Sequence, residues 1–343
     1  MKIAVFGWYG HDNAGDERIK YCLSFFLKGL GGIDSVDFYD LHEEAIQGAT
    51  SKFDDYNLVI IGGGGLILSR HNYHDFIMGI NTKMVTLGIS VETDLKGNPK
   101  KFAEALLEKS YKVLVRDQSS YESLKAFDLY NKVILSVDMT FLSPYDLVLD
   151  QENKNRVAIN LLPKTSEHPL VRQMKIQLLR FSSKFAPQTF YFKDLIWDLK
   201  NTYSLIPIPL FCEAQKEKTP LFQSNDVTFL RQYFNNVPDT FNHKNLDNCR
   251  AFLSMRLHGL IFAAQKGIPF VTFSTYPKQA NFMREVGLQE FCVDLHKSEK
   301  ITEKLSIILK SESIVKEIIF DYRSRAINKS SEDMNQLMNQ ILK

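Results

Sequence analysis

The sequence predicts an α/β fold of two Rossmann-like, doubly wound halves that face each other across a cleft. Three observations predict it. The chain has 343 residues, enough for two domains. Short apolar runs alternate with helical periodicities, the pattern of a parallel sheet covered on both faces. Two segments far apart in sequence, residues 7–18 and 255–259, each place glycine, charge and an imidazole where a strand hands over to a helix. Ligands of α/β proteins collect at such junctions.

The elements follow in order. Ile3–Phe6 is a buried-strand run, and Asp16–Leu27 has helical spacing with Ile19, Leu23, Phe26 and Leu27 on one side. Val36–Tyr39 is the next strand, then Leu58–Ile61, followed by Gly62–Gly65. Met84–Leu87 and Val113–Val115 are strands separated by a helix at Phe102–Lys109. Asp117–Phe127 reads as a helix and Val133–Leu135 as a strand, closing a first domain at residues 1–142. Residues 143–155 are polar and turn-rich and are read as the linker. The second domain, 156–311, opens with a strand at Arg156–Leu161, helical spacing at Leu170–Phe185 and a strand at Thr189–Phe192. Strands at Ala251–Ser254 and Pro269–Phe273 flank a helix at Leu257–Lys266. Residues 312–343 form an amphipathic helical tail placed to pack back on the first domain, with Ile314, Val315, Ile318, Ile319, Leu337 and Ile341 as its apolar positions.

Composition excludes several classes. A net charge of +2 lacks the basic excess of a general nucleic-acid binder. Cys22, Cys212, Cys249 and Cys292 show no metal spacing and read as reduced, mostly buried thiols. Residues 1–6 are too short for a secretory apolar segment, and no run approaches a membrane span. The expectation is a soluble, cytoplasmic protein.

In the first segment, Gly7, Gly10 and Gly15 permit a tight loop. Asp16 and Glu17 suit the positive end of a helix. Capping leaves Trp8, Tyr9, His11 and Asn13 unexplained; rings and amides at a strand end are what a sugar site uses. The run Gly62, Gly63, Gly64 and Gly65 offers either an anion cradle or a tightly packed turn supporting the cleft. Arg116 and Asp117 read either as a surface arginine beside a helix cap or as an arginine reaching into the cleft. Asp138 stands just beyond another strand. The second segment carries the strongest pattern. Arg256 and His258 sit two apart at a helix start, where free N–H groups favour phosphate. Arginine adds a planar donor fork and histidine an acid or base near neutral pH. Lys278 ends the next strand as a second positive charge or a solvated lysine. His71 and His74 are left as surface residues, with no metal site expected.

Together these segments resemble the polysaccharide pyruvyl transferase family, with matches at residues 5–20, 58–68, 113–120 and 254–278. Met139 stands where the family often has proline after the aspartate. The resemblance implies a GT-B-like fold and transfer of a pyruvyl group from phosphoenolpyruvate to a sugar as a ketal. It implies no cofactor beyond that donor substrate. On this reading His258 is the general acid. Asp16 is the leading candidate base, with Asp12, His11 and Asp138 as alternatives. Arg256, Arg116, Lys278 and Gly259 hold the donor, and Trp8, Tyr9, His11, Asp12 and Asn13 hold the acceptor. The acceptor is a lipid-linked, nucleotide-linked or polymeric sugar; a lipid-linked one places the protein at the inner face of a membrane. Two alternatives stay open: a nucleotide-sugar glycosyltransferase, with Glu285 as a ribose-binding carboxylate, and a non-catalytic component of a polysaccharide assembly complex.

Overall fold

The computed structural model describes residues 1–67, 73–148, 155–162, 192–212 and 225–342. The first half holds β1 (Lys2–Gly7), β2 (Ser35–Asp40), β3 (Leu58–Ile67), β4 (Met84–Val91), β5 (Ser110–Val115) and β6 (Val133–Leu135). They form one parallel sheet of order β2-β1-β3-β4-β5-β6. Between them run α1 (Ala14–Lys28), α2 (Leu41–Gln47), α3 (His74–Gly79), α4 (Asn98–Lys109) and α5 (Gln118–Leu124). The second half holds β7 (Arg156–Asn160), β8 (Ser204–Pro207), β9 (Ala251–Ser254), β10 (Phe270–Phe273) and β11 (Cys292–Val293). These are again parallel, in the order β11-β10-β9-β7-β8. Its helices are α6 (Lys193–Thr202), α7 (Asp226–Leu230), α8 (Leu257–Lys266), α9 (Pro277–Val286), α10 (Lys300–Lys310) and α11 (Glu312–Ile341). The expected GT-B-like pair of Rossmann-like sheets is what the chain forms.

Strand order explains where ligands gather. β1 lies between β2 and β3, and β7 between β8 and β9. In each sheet the chain therefore turns to opposite sides from a central strand, which opens a crevice beyond the carboxyl ends of β1 and β3, and of β7 and β9. The residues after β1 and after β9 are the two segments singled out by sequence.

Apolar periodicity built the core as expected. Ile3, Ala4, Val5 and Phe6 are fully buried, with Ile3 and Val5 on one face and Ala4 and Phe6 on the other. That alternation is the period-two signature of a strand covered on both sides. α11 is one continuous helix. Its first part, through Val315, Ile319, Tyr322 and Ala326, joins the core of the second half. Its last part, through Met334, Leu337, Met338 and Ile341, packs against Ile3, Val5 and Leu23 of the first half.

Several expectations need correction. β3 does not stop at Ile61; it runs through all four glycines to Ile67. α5 ends at Leu124, not Phe127. Within residues 143–155, Tyr145 and Val148 are buried. Residues 149–154, the helix placed at Leu170–Phe185, most of the strand placed at 189–192, and His71 lie outside the described residues. Phe192 is described and precedes α6 instead of ending a strand. Among the described residues no helix is long and apolar enough to cross a membrane.

Candidate active site

The two crevices meet. Loop residues after β1 bond to the segment after β8: Ala14 N–H donates to the Leu210 carbonyl at 2.8 Å, and Cys212 N–H to the Asp12 carbonyl at 3.1 Å. Asp12 reaches this geometry in the left-handed region, at φ 50°. On the far side, Lys278 Nζ of α9 meets Glu92 Oε2 beyond β4 at 2.8 Å. Between these two bridges lies a cluster of charge from both halves.

His258 stands in the first turn of α8, aimed at the first half. Its Nε2 is 3.4 Å from Asp138 Oδ2, an ion-pair separation without hydrogen-bond alignment. The other face of the ring lies over Gly15: a Cβ built there would come within 1.8 Å of His258 Nδ1. Gly15 is thus required by the approach of this imidazole. Asp138 caps the turn at Met139–Leu142, accepting from Thr140 N–H at 3.0 Å. Burial alone would raise its pKa, but His258 and Arg116 outweigh it and hold the carboxyl far below the ordinary range. Met139, in the place of proline, fills the space beside Gly88 and keeps the turn.

Asp16 enters from the first turn of α1. Burial lifts its pKa from 3.8 to about 6, although His258 and Arg116 pull it down; Glu92 adds to the rise. One of its oxygens would be 2.6 Å from a Cβ on Gly64, whose φ is +84°. The glycine run therefore makes room for side chains: Ile19 over Gly63, Asp16 over Gly64 and Glu92 over Gly65.

Arg116 is not a surface residue; it borders a small cavity shared with Asp138, Lys278 and Glu285. It is buried, and donates to Asp138 Oδ2 at 3.1 Å, Ser90 Oγ at 2.8 Å and Glu92 Oε1 at 3.3 Å. Its place is to gather the two carboxylates that face His258 and Lys278. Asp117 caps α5 through Ser120 N–H. Burial would raise Glu92, but Lys278 and Arg116 hold it below its ordinary value. Glu285 of α9 accepts from Gln118 N–H at 3.3 Å, so it faces the first half, and burial pushes it up to about 7.

Arg256 immediately precedes α8 and gives that helix no side-chain cap. Its fork instead grips buried Asp226, Nε to Oδ2 at 2.8 Å and Nη2 to Oδ1 at 2.6 Å, and lies 5.3 Å from the Phe211 ring centre. Gly259 packs closely, because a Cβ there would strike Ser254 Oγ at 2.1 Å.

The acceptor set divides. Trp8 is part-exposed at 37 % and stacks between His11, at 4.9 Å, and Phe211, at 5.7 Å. His11 also bonds Asp40 Oδ2 at 2.8 Å. The Asp12 side chain is exposed. Tyr9, in contrast, is buried and donates to the Gly62 carbonyl at 2.7 Å, so it braces β3. Asn13 caps α1 by accepting from Gly15 N–H at 3.1 Å. Sequence reasoning missed Glu92, Phe211 and Asp226. Glu92 had a signal, a carboxylate just past a strand; Phe211 sits in irregular chain, and Asp226 opens α7, a helix of five residues too short to show a period. Among the described residues no three metal-binding side chains converge, and His74 pairs with Asp75 at 2.8 Å.

Comparison with known proteins adds the following. A family model described as polysaccharide pyruvyl transferase matches residues 13–276. No curated protein matches the sequence. UDP-GlcNAc 2-epimerase from Neisseria meningitidis, solved with UDP-GlcNAc, superposes with a TM-score of 0.54 at 12 % identity, covering 99 % of this chain and 100 % of that one. S. aureus MnaA, solved with UDP, superposes at 0.55 and 9 % identity, covering 93 % and 90 %. TarM superposes at 0.45 and 12 % identity over 83 % of this chain, which spans 55 % of TarM. Likeness at this identity concerns the fold.

Proposed function

We infer the reaction from kinship and site together: the chain belongs to the polysaccharide pyruvyl transferase family and is a transferase enzyme. We propose that it moves the pyruvyl group of phosphoenolpyruvate onto two hydroxyls of a sugar destined for a polysaccharide. The observation that carries this reading is His258, held at the start of α8 between Asp138 and Gly15 and within the field of Asp16.

His258 protonates the methylene carbon of the donor. The neighbouring carbon, now electron-poor, bonds to the first sugar hydroxyl, whose proton passes to Asp16. Phosphate leaves with the electron pair of its C–O bond and takes that proton. The second hydroxyl closes the ketal, and its proton restores His258. A carboxyl with a pKa of about 6 suits the base, since it is ionised at neutral pH yet basic enough to accept. Arg256 and the start of α8 bind the departing phosphate, and Lys278 adds charge when a donor competes with Glu92 for it. Arg116 acts behind them, fixing Asp138 and Glu92. Trp8 offers the exposed part of its stacked indole to the sugar.

The test is incubation of the protein with phosphoenolpyruvate and a panel of β-galactosides, β-mannosaminides and related sugars, followed by mass spectrometry. A pyruvyl ketal formed by the native chain and absent with His258→Ala is the expected result. A melting shift with a UDP-sugar, with none from phosphoenolpyruvate and no ketal, would overturn it.

A further inference from the structure

Asp226 has no exposed surface, yet several donors converge on its carboxylate. It accepts from Arg256 Nε and Nη2, from Asn160 Nδ2 at 2.8 Å, and from the backbone N–H groups of Leu210 at 2.9 Å and Phe211 at 3.2 Å. Its own N–H donates to the Phe211 carbonyl at 2.8 Å. Asn160 ends β7, so the anchor is seated at the topological switch of the second sheet. The bonded loop leads on to the first half, since Leu210 accepts from Ala14 N–H and Phe211 stacks on Trp8.

We propose that Asp226 is a positioning residue that sets Arg256 and the Phe211–Trp8 stack as one unit, so that the cation beside the donor and the ring shelf beside the acceptor share an anchor. This rests on the donor and acceptor assignments above. Two effects oppose each other here. Pairing with Asp226 cancels the net charge of Arg256, so charge alone says that losing the carboxylate tightens binding of an anionic donor. Orientation says the reverse. A fork with two of its edges fixed presents its remaining donors in one direction, and a freed side chain loses that preorganisation. Arg256 keeps 21 % of its side chain exposed while its partner keeps none, so the pair is buried on the Asp226 side and reaches the surface on the Arg256 side.

Asp226→Asn decides between them by sign. The expected result is a KM for phosphoenolpyruvate raised about tenfold, the scale of one lost charge-assisted bond, with kcat changed by less than about threefold. Adding Asp226→Asn to Arg256→Ala should raise KM no further, because the residue acts through Arg256. A lowered or unchanged KM, or equal losses in both backgrounds, would overturn the proposal. A readout without donor accompanies it: the Arg256 Nε–H resonance, assigned by its loss in Arg256→Lys, should be protected from solvent exchange in the native chain and lose that protection in Asp226→Asn. Retained protection also overturns the anchor. If the native chain neither binds nor uses phosphoenolpyruvate, the proposed function fails and this resonance alone judges the anchor. If Asp226→Asn does not fold, Asp226→Glu serves; it keeps the charge but shifts the fork by one methylene, and the same KM rise and loss of protection are expected.

Discussion

His258 Nε2 and Asp138 Oδ2 lie 3.4 Å apart, although the imidazole belongs to the second half and the carboxylate to the first. Neither half holds this imidazole together with its counter-charge. The site is complete only when the crevice beyond β1 and β3 meets the crevice beyond β7 and β9.

His258→Ala is therefore expected to lower turnover by about 10²–10⁴ while leaving the melting temperature nearly unchanged. Asp138→Asn is expected to lower turnover as well, and to destabilise the chain, because Arg116 then loses a buried partner at 3.1 Å. Steady-state rates with parallel thermal melts separate the two. Near-native turnover in His258→Ala would remove the imidazole from the chemistry.

Asp16 gives a pH signature. Its pKa rises from 3.8 to about 6 on folding, so between those values the native state binds more protons than the unfolded state. Stability must then fall as pH rises through this window. Asp16→Asn, which carries no charge to bury, should melt higher than the native chain above about pH 6, by no more than about 3 kcal/mol. The gain should vanish below about pH 4. Turnover should drop in the same variant. A stability difference independent of pH would show that Asp16 does not ionise in a buried setting.

Glu92 and Lys278 make unequal contributions. Lys278 is one-third exposed and pairs with Glu92 among the described residues, so Lys278→Met should cost about 1 kcal/mol or less. Glu92 also faces buried Arg116 at 3.3 Å, and Glu92→Gln should cost more, about 3 kcal/mol. Denaturant melts test the order. Equal losses would mean that Arg116 is satisfied by Asp138 and Ser90 alone.

The sequence revealed most where one period dominated. The strand at Ile3–Phe6 and the helix at Leu257–Lys266 carry continuous apolar patterns, and both were placed to within a residue. β11, two residues long, has too few positions to show a period. The glycine run hid the rest of β3, because glycine carries no apolar signal and here serves the side chains packed over it. Site residues divided on the same ground. The strand-to-helix junction that carries Arg256 and His258 was legible because apolar runs bracket it on both sides. For Arg116, Tyr9 and Asn13 the local partner was not legible, because residue type does not say which group a side chain finds: Asp138, the Gly62 carbonyl and the α1 terminus take part of their bonding.

Gly15→Ala offers the sharpest separation of site from fold. Gly15 lies within α1, a helix whose intrinsic stability alanine would raise by about 1 kcal/mol. The added methyl, however, would fall within 1.8 Å of His258 Nδ1 and 2.3 Å of the ring carbons beside it. The imidazole is the movable partner, since the helix backbone is fixed by the Asn13 cap and by the Ala14 bond to Leu210. The expected variant is folded and loses turnover to within about tenfold of His258→Ala, because the ring is pushed from its place beside Asp138. Combining the two substitutions should restore little activity and cost little more, as the methyl then has no ring to displace. If Gly15→Ala keeps native turnover, the halves open far enough in solution to carry His258 clear of α1, and the contact between them is not the catalytic arrangement.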